Sequence, residues 1–335
     1  MSAGAPQVWL DQVHEIAIDP EREICDPHHH LWDHPGSRYC LQELLGDTGT
    51  GHKVRSTVFV ECGAMYRAAG EEWLRPLGET EFVNGIAAMA ASGGYGATQV
   101  AAGIVGYADL TLGAAVGELL DAHMSVTERF KGIRHAAGWD ASPEIRNSHS
   151  NPTEGMLGSG AFREGFAELG KRGLSFDCWL YHPQLPELVD LARAFPETTI
   201  VLDHFGGPLG VGPYAGQRAA IYERWREDIA AVAQCPNVVA KLGGLVMAVN
   251  GFGFNKAEQP PSSDELLSAT QDWYYTAIDL FSPARCMFES NFPVDKVSTS
   301  YGVLWNAFKK MAARYSADEQ AALLCDTAER VYRLA

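Results

Sequence analysis

Apolar and polar positions follow a repeated order along the chain: a short apolar run, a polar or glycine-rich break, then a longer stretch with helical periodicity. Eight such runs stand out, at Ile24–Asp26, Thr57–Glu61, Ala101–Tyr107, Lys131–His135, Leu174–Leu180, Thr199–Asp203, Val238–Leu242 and Cys286–Ser290. The periodic stretches predict helices at Thr80–Ala91, Leu112–Ala122, Ala161–Arg172, Leu185–Ala194, Gln217–Gln234, Asp264–Phe281, Ser298–Arg314 and Ala317–Arg333. Strands that alternate with helices imply a parallel sheet, because a parallel return needs a crossover. Eight units in 335 residues fit a closed barrel. The expected fold class is therefore α/β, a distorted (β/α)8 TIM barrel forming one domain over residues 1–335, with its core at about 24–334. Extra length at Gly63–Glu79, Ala136–Gly160, Gly206–Ala215 and Val246–Ser263 predicts extended loops on the catalytic face. The absence of Gly-x-Gly-x-x-Gly between a strand and a helix sets an open dinucleotide-binding sheet aside.

Composition narrows the partners. With 42 acidic and 26 basic residues the formal charge is −16, which argues against nucleic acid and for a small-molecule substrate. A local cation can still receive an anionic substrate, since net charge does not describe a cleft. The seven scattered cysteines, without Cys-x-x-Cys, suit a reduced compartment. No signal-like segment and no membrane-length apolar run is present, so the expected location is cytoplasmic, with no membrane partner. The apolar outer helices are compatible with a homo-oligomer, for which the sequence supplies no interface.

Candidate chemistry gathers at the ends of the strands. His28 and His30 lie two apart in an extended segment, so both side chains point to one side, as two ligands of one metal ion require. His182 follows the fifth run and His204 the sixth, and barrel strand ends converge. His28, His30, His182 and His204 are thus the expected metal ligands. His182 and His204 are also expected to take part in catalysis. Neutral imidazoles suit zinc, with manganese as the second choice, and an open position would lower a bound water's pKa toward about 7. A nearby carboxylate would then move the proton. At the end of the fourth run, Arg134 and His135 are candidate contacts for a substrate carboxylate and carbonyl. Lys241 has similar standing, and Tyr66 and Trp139 are candidate ring contacts.

Several motifs resemble a known family. Asp26-Pro27-His28-His29-His30-Leu31-Trp32, Ile200–Pro208, Val239–Gly243, Met287–Pro293 and the closing Ala328–Leu334 are together similar to the amidohydrolase-related (amidohydrolase 2) branch of the amidohydrolase superfamily. The resemblance spans residues 24 to 334 and leans toward lactonases through Asp203-His204-Phe205-Gly206-Gly207-Pro208. It implies a distorted barrel that acts on lactones, or that decarboxylates aromatic and unsaturated acids. It also implies metal ligation by the four histidines, while some lactonases of this branch act without metal. The eighth run departs from the family, which commonly has an aspartate as ligand and proton shuttle where this chain has Asn291. An amide cannot accept a proton at neutral pH, although its oxygen can orient water. Asp295 and Glu61 are the candidate replacements. Glu289 shares the side of Asn291 but is expected to lie deeper.

The first functional expectation is hydrolysis of a lactone or related cyclic ester of a small carboxylated compound. Non-oxidative decarboxylation of an aromatic or dienoic acid is the alternative. A barrel that has lost activity and serves as a binding protein is the third.

Overall fold

The computed structural model describes residues 6–334. Eight strands form the main sheet: β1 (Glu23–His29), β2 (Lys53–Val60), β3 (Gln99–Gly106), β4 (Phe130–Arg134), β5 (Ser175–Cys178), β6 (Ile200–Leu202), β7 (Val238–Leu242) and β8 (Cys286–Phe288). Each pairs in parallel with its neighbour in chain order. All eight predicted runs are strands, wrapped by helices in a nearly closed (β/α)8 barrel.

Closure happens beyond the regular end of β8. The Asn291 N–H donates to His28 O at 2.9 Å and the His30 N–H to Phe292 O at 2.8 Å. The β1–β2 pairing is irregular nearby: its register shifts between Asp26 and His29, where Pro27 has no N–H to donate. Asp26 compensates by accepting the Ser290 N–H at 2.9 Å and the Tyr301 hydroxyl at 3.0 Å.

Most helices lie within a few residues of their predicted ranges, such as Leu185–Ala194 and Ser263–Phe281. Three features differ. The fifth strand ends at Cys178 rather than Leu180. The last predicted helix is broken into Ala317–Ala321, a wide π turn at Ala322–Asp326, and Thr327–Tyr332. A two-stranded ribbon (Trp32–His34 with Ser37–Tyr39) and a helix at Leu41–Thr48 fill the first crossover. No helix among the described residues is long and apolar enough to cross a membrane.

The broken terminal helix closes the barrel's lower end. Cys325, Ala328, Val331 and Tyr332 pack with Cys25, Val58, Val105, Val201 and Met287 from the strands. Glu329 pairs with Arg55 near the start of β2, which fixes the end being closed. The opposite end, where the strands finish, is left for chemistry.

Candidate active site

Side chains from seven strands or their ends meet inside the upper barrel. His28 comes from β1, Glu61 follows β2, Arg134 ends β4, and Asp177 lies on β5. Asp203 and His204 follow β6, Lys241 is on β7, and Glu289 follows β8. Glu289 joins two imidazoles, with Oε2 2.7 Å from His28 Nδ1 and Oε1 2.6 Å from His204 Nδ1. The two rings are 4.5 Å apart. Burial, with Lys241 next in effect, pushes the His28 pKa well below its ordinary value, so the ring is neutral and its lone pair is available.

Backbone geometry makes the contact with Glu289 fit. His204 and Phe205 both have left-handed φ, 52° and 59°, a conformation that side-chain-bearing residues seldom adopt. Gly243 and Gly244 follow β7 and pack beneath these groups. A Cβ at Gly243 would fall 2.4 Å from Glu289 Cγ, and one at Gly244 would fall 2.4 Å from His204 Nδ1. Gly244, with φ 68°, is therefore doubly constrained. Gly244→Ala is expected to displace the His204 ring and lower stability by roughly 1–3 kcal/mol. Urea unfolding together with metal content would check this, and a variant matching the parent in both would refute the packing argument.

Around this trio lies a buried ionic network. Lys241 Nζ is 2.6 Å from Asp177 Oδ2, 3.4 Å from Asp203 Oδ1 and 3.3 Å from His28 Nδ1. Arg134 donates from Nε to Glu61 Oε1 at 2.8 Å, and Nη1 is 3.5 Å from Asp203 Oδ2. The other Glu61 oxygen meets His149 Nε2 at 2.9 Å. Burial alone would raise the Glu61 pKa, but His149 and Arg134 overcome it and hold the group at about 2. Burial raises Asp177 to about 6 against the pull of Lys241, so it is still ionised at neutral pH. Tyr332, from the terminal helix, donates to Asp177 at 2.7 Å and ties the lower closure to the site.

The charge balance of these residues bears on whether they suit a metal. Glu61, Asp177, Asp203 and Glu289 have no exposed surface, and Arg134 and Lys241 are the cations in contact with them. One formal negative charge is left over with His149 protonated and two with it neutral. Uncompensated buried charge costs several kcal/mol per ion. Among the described residues neither side-chain oxygen of Asp203 accepts a hydrogen bond, and Glu289 Oε2 has only its contact with His28. Two imidazoles and a carboxylate, gathered within 4.8 Å of one another, form a ligand set suited to a divalent ion. The residues fit such a group in both donor chemistry and charge.

The amidohydrolase family profile matches residues 25–334. The chain belongs to the amidohydrolase family. Among its relatives, the uncharacterized protein y4mH of Sinorhizobium fredii is 33% identical over 333 residues, 93% of this chain and 98% of that protein. The L-fucono-1,5-lactonase of Burkholderia multivorans is 31% identical over 174 residues, 52% of this chain and 56% of that enzyme. An amidohydrolase of Burkholderia multivorans, solved with bound zinc, has a TM-score of 0.71 and 23% identity, covering 93% of this chain and 99% of that one.

The barrel distributes the sequence-predicted residues of this amidohydrolase unevenly. His28 and His204 lie in the trio with Glu289. His30 is adjacent, its ring 5.0 Å from that of His28, and its Nδ1–H donates to Val60 O at 2.8 Å, leaving Nε2 with the lone pair. His182 lies outside the trio: β5 ends early, the chain turns, and its Nδ1 accepts the Leu209 N–H at 3.2 Å. Asn291 has φ 55°, which breaks the strand's alternation, and its Nδ2 donates to Asp295 at 3.1 Å. Burial pushes the Asp295 pKa well above the usual carboxylate range. Arg134 and Lys241 are engaged by carboxylates inside the barrel rather than standing free at the rim. His135 Nδ1 accepts the Leu110 N–H at 3.2 Å. Trp139 N–H donates to Gln184, while Tyr66 stacks near Tyr107 with 6.4 Å between rings.

Glu289, Asp177, Asp203 and His149 are absent from the sequence-predicted set. Glu289 had a signal in its shared parity with Asn291 and in the Gly243-Gly244 pair that makes room for it. His149 lies in an irregular loop where no periodicity marks a direction.

A cavity of about 930 Å³ opens beside the network. Its lining includes Cys62, Tyr66, Arg75, Tyr107 and His149. His149 is its link to the buried groups, through Glu61.

Proposed function

We propose that this chain is a metal-dependent hydrolase that opens a lactone or related cyclic ester of a small carboxylated compound. The observation that carries the reading is the His28–His204–Glu289 trio inside a network short of positive charge, beside a cavity of substrate size. The partial likeness to L-fucono-1,5-lactonase supports a lactone as substrate. Zinc is the expected ion. Held by His28, His204 and Glu289, it would supply Lewis-acid polarisation of the ring carbonyl.

The chain's own groups account for the remaining requirements. Arg134 and Lys241 hold the surrounding carboxylates in place and keep Asp203 beside the trio. The Tyr66 and Tyr107 rings supply an apolar wall. Arg75 lines the cavity, and among the described residues it forms no ion pair and its buried Nε has no partner, whereas Arg67 is tied to Glu81. Arg75 is therefore the cation suited to a substrate carboxylate.

The test is turnover of a lactone panel, with and without carboxylate substituents, by protein loaded with Zn²⁺ or Mn²⁺. Product mass decides the reaction, since hydrolysis adds water and decarboxylation loses CO₂. Arg75→Ala is expected to raise KM for carboxylated members by roughly tenfold, equivalent to about 1.4 kcal/mol, and to spare neutral ones. CO₂ loss, or no turnover by fully loaded protein, would refute the reading.

A further inference from the structure

With an amide at position 291, the water's proton must go elsewhere. Glu61 has Oε1 occupied by Arg134 and Oε2 by His149, with no exposed surface. Asp295 is buried against Asn291. His135 and His182 already use Nδ1 to accept backbone N–H groups. His149 differs from all of these. Its side chain is 41% exposed and lines the cavity, Nε2 faces the Glu61 carboxylate, and Nδ1 has no hydrogen-bond partner among the described residues.

We propose that His149 is the proton acceptor of the reaction, with Glu61 and Arg134 as its positioning residues. This rests on the lactone-hydrolase reading. A carboxylate at Nε2 fixes that nitrogen as the N–H, which leaves the lone pair on Nδ1 of a ring that lines the cavity. Arg134 holds the other Glu61 oxygen, and its Nη1 is 3.4 Å from His28 Nε2, so the base is braced against the trio. In the step, the water oxygen forms a bond to the lactone carbonyl carbon as its proton passes to His149 Nδ1. The ring C–O bond then breaks, and the leaving oxygen takes that proton, giving a hydroxycarboxylic acid.

The surroundings suit a cation that forms transiently. The Glu61 charge, opposed by burial, raises the His149 pKa, while Arg134 pulls it down and Glu79 lies farther off. Glu79, packed against Cys62, is itself pushed to about 8 by burial and is mostly neutral at pH 7. His135, another titratable ring near this group, is kept neutral by burial. An imidazolium at 149 is thus balanced by the one ionised carboxylate it touches.

Two readouts test the assignment. In protein labelled with ¹⁵N-histidine, His149 (assigned through His149→Gln) is expected as the Nε2–H tautomer with a titration midpoint above 6.5, and Glu61→Gln should lower that midpoint. Against a lactone the parent opens, with L-fucono-1,5-lactone as the first probe, His149→Gln should lower kcat/KM by about 100-fold or more and remove the acid limb. Added imidazole should restore part of the loss in His149→Gly. An Nδ1–H tautomer, or His149→Gln with parental kcat/KM and acid limb, would overturn the proposal. If the parent opens no lactone, the hydrolase reading fails, and the tautomer measurement still decides whether His149 is built as a base.

Discussion

Glu289→Gln is expected to lower kcat/KM on the order of 10³-fold and to abolish stoichiometric metal binding, while the metal-free protein keeps its thermal midpoint. The carboxylate is the anionic member of the trio, and Lewis-acid polarisation of a carbonyl is worth several kcal/mol, at 1.36 kcal/mol per factor of ten. Glutamine has nearly the same shape and can still accept the N–H of one ring. It also removes a buried negative charge that pairs with no Arg or Lys among the described residues. Stability of the metal-free variant should therefore not fall, and the change separates metal loss from unfolding. In the parent, Zn²⁺ at 100 times its Kd should add about 2.7 kcal/mol of stability, and in the variant almost nothing. Metal analysis, thermal melts with and without Zn²⁺, and turnover of a lactone that the parent opens make the test. A variant that binds one zinc and turns over at the parental rate would remove Glu289 from the site.

Lys241→Met is expected to destabilise the barrel by about 3–5 kcal/mol, the range for removing one partner of a buried ion pair. Lys241 and Asp177 both have no exposed surface and sit 2.6 Å apart, with Asp203 the second carboxylate on the ammonium. Methionine fills similar volume, so the loss would come from stranded charge rather than from a cavity. The double variant Lys241→Met/Asp177→Asn should recover part of the loss by removing one stranded carboxylate. Urea unfolding with linear extrapolation gives the comparison. A single-variant loss under 1 kcal/mol, or a double variant no better than the single, would show that Lys241 and Asp177 are not a buried charged pair.

Much of the barrel was readable from the apolar runs, because a strand covered on both faces must be apolar nearly throughout and can occupy little else. The strand-end histidines were readable for the same reason: a polar residue directly after such a run emerges where the strands converge. The reading weakened wherever an element's end decided a direction. His182 was assigned by parity with Leu180, but β5 stops at Cys178. Asn291 was compared with the family's aspartate, but its left-handed φ turns the chain, and Glu289 meets the histidines instead. Arg134 and Lys241 looked like substrate contacts at the rim because their buried carboxylate partners lie on other strands.

The sequence by itself determined the fold class, the family and the strand ends that carry His28, His30 and His204, since alternation and burial are local properties of a segment. Tertiary structure decided which groups touch. The trio brings together residues 28, 204 and 289, Lys241 pairs with residue 177, and His149 reaches Glu61 from a loop. Each of these contacts depends on barrel closure, on a backbone angle such as that of His204 or Asn291, or on the missing Cβ of Gly243 and Gly244. Such constraints act between segments distant in the chain, and so does the balance of buried charge that makes room for a metal ion.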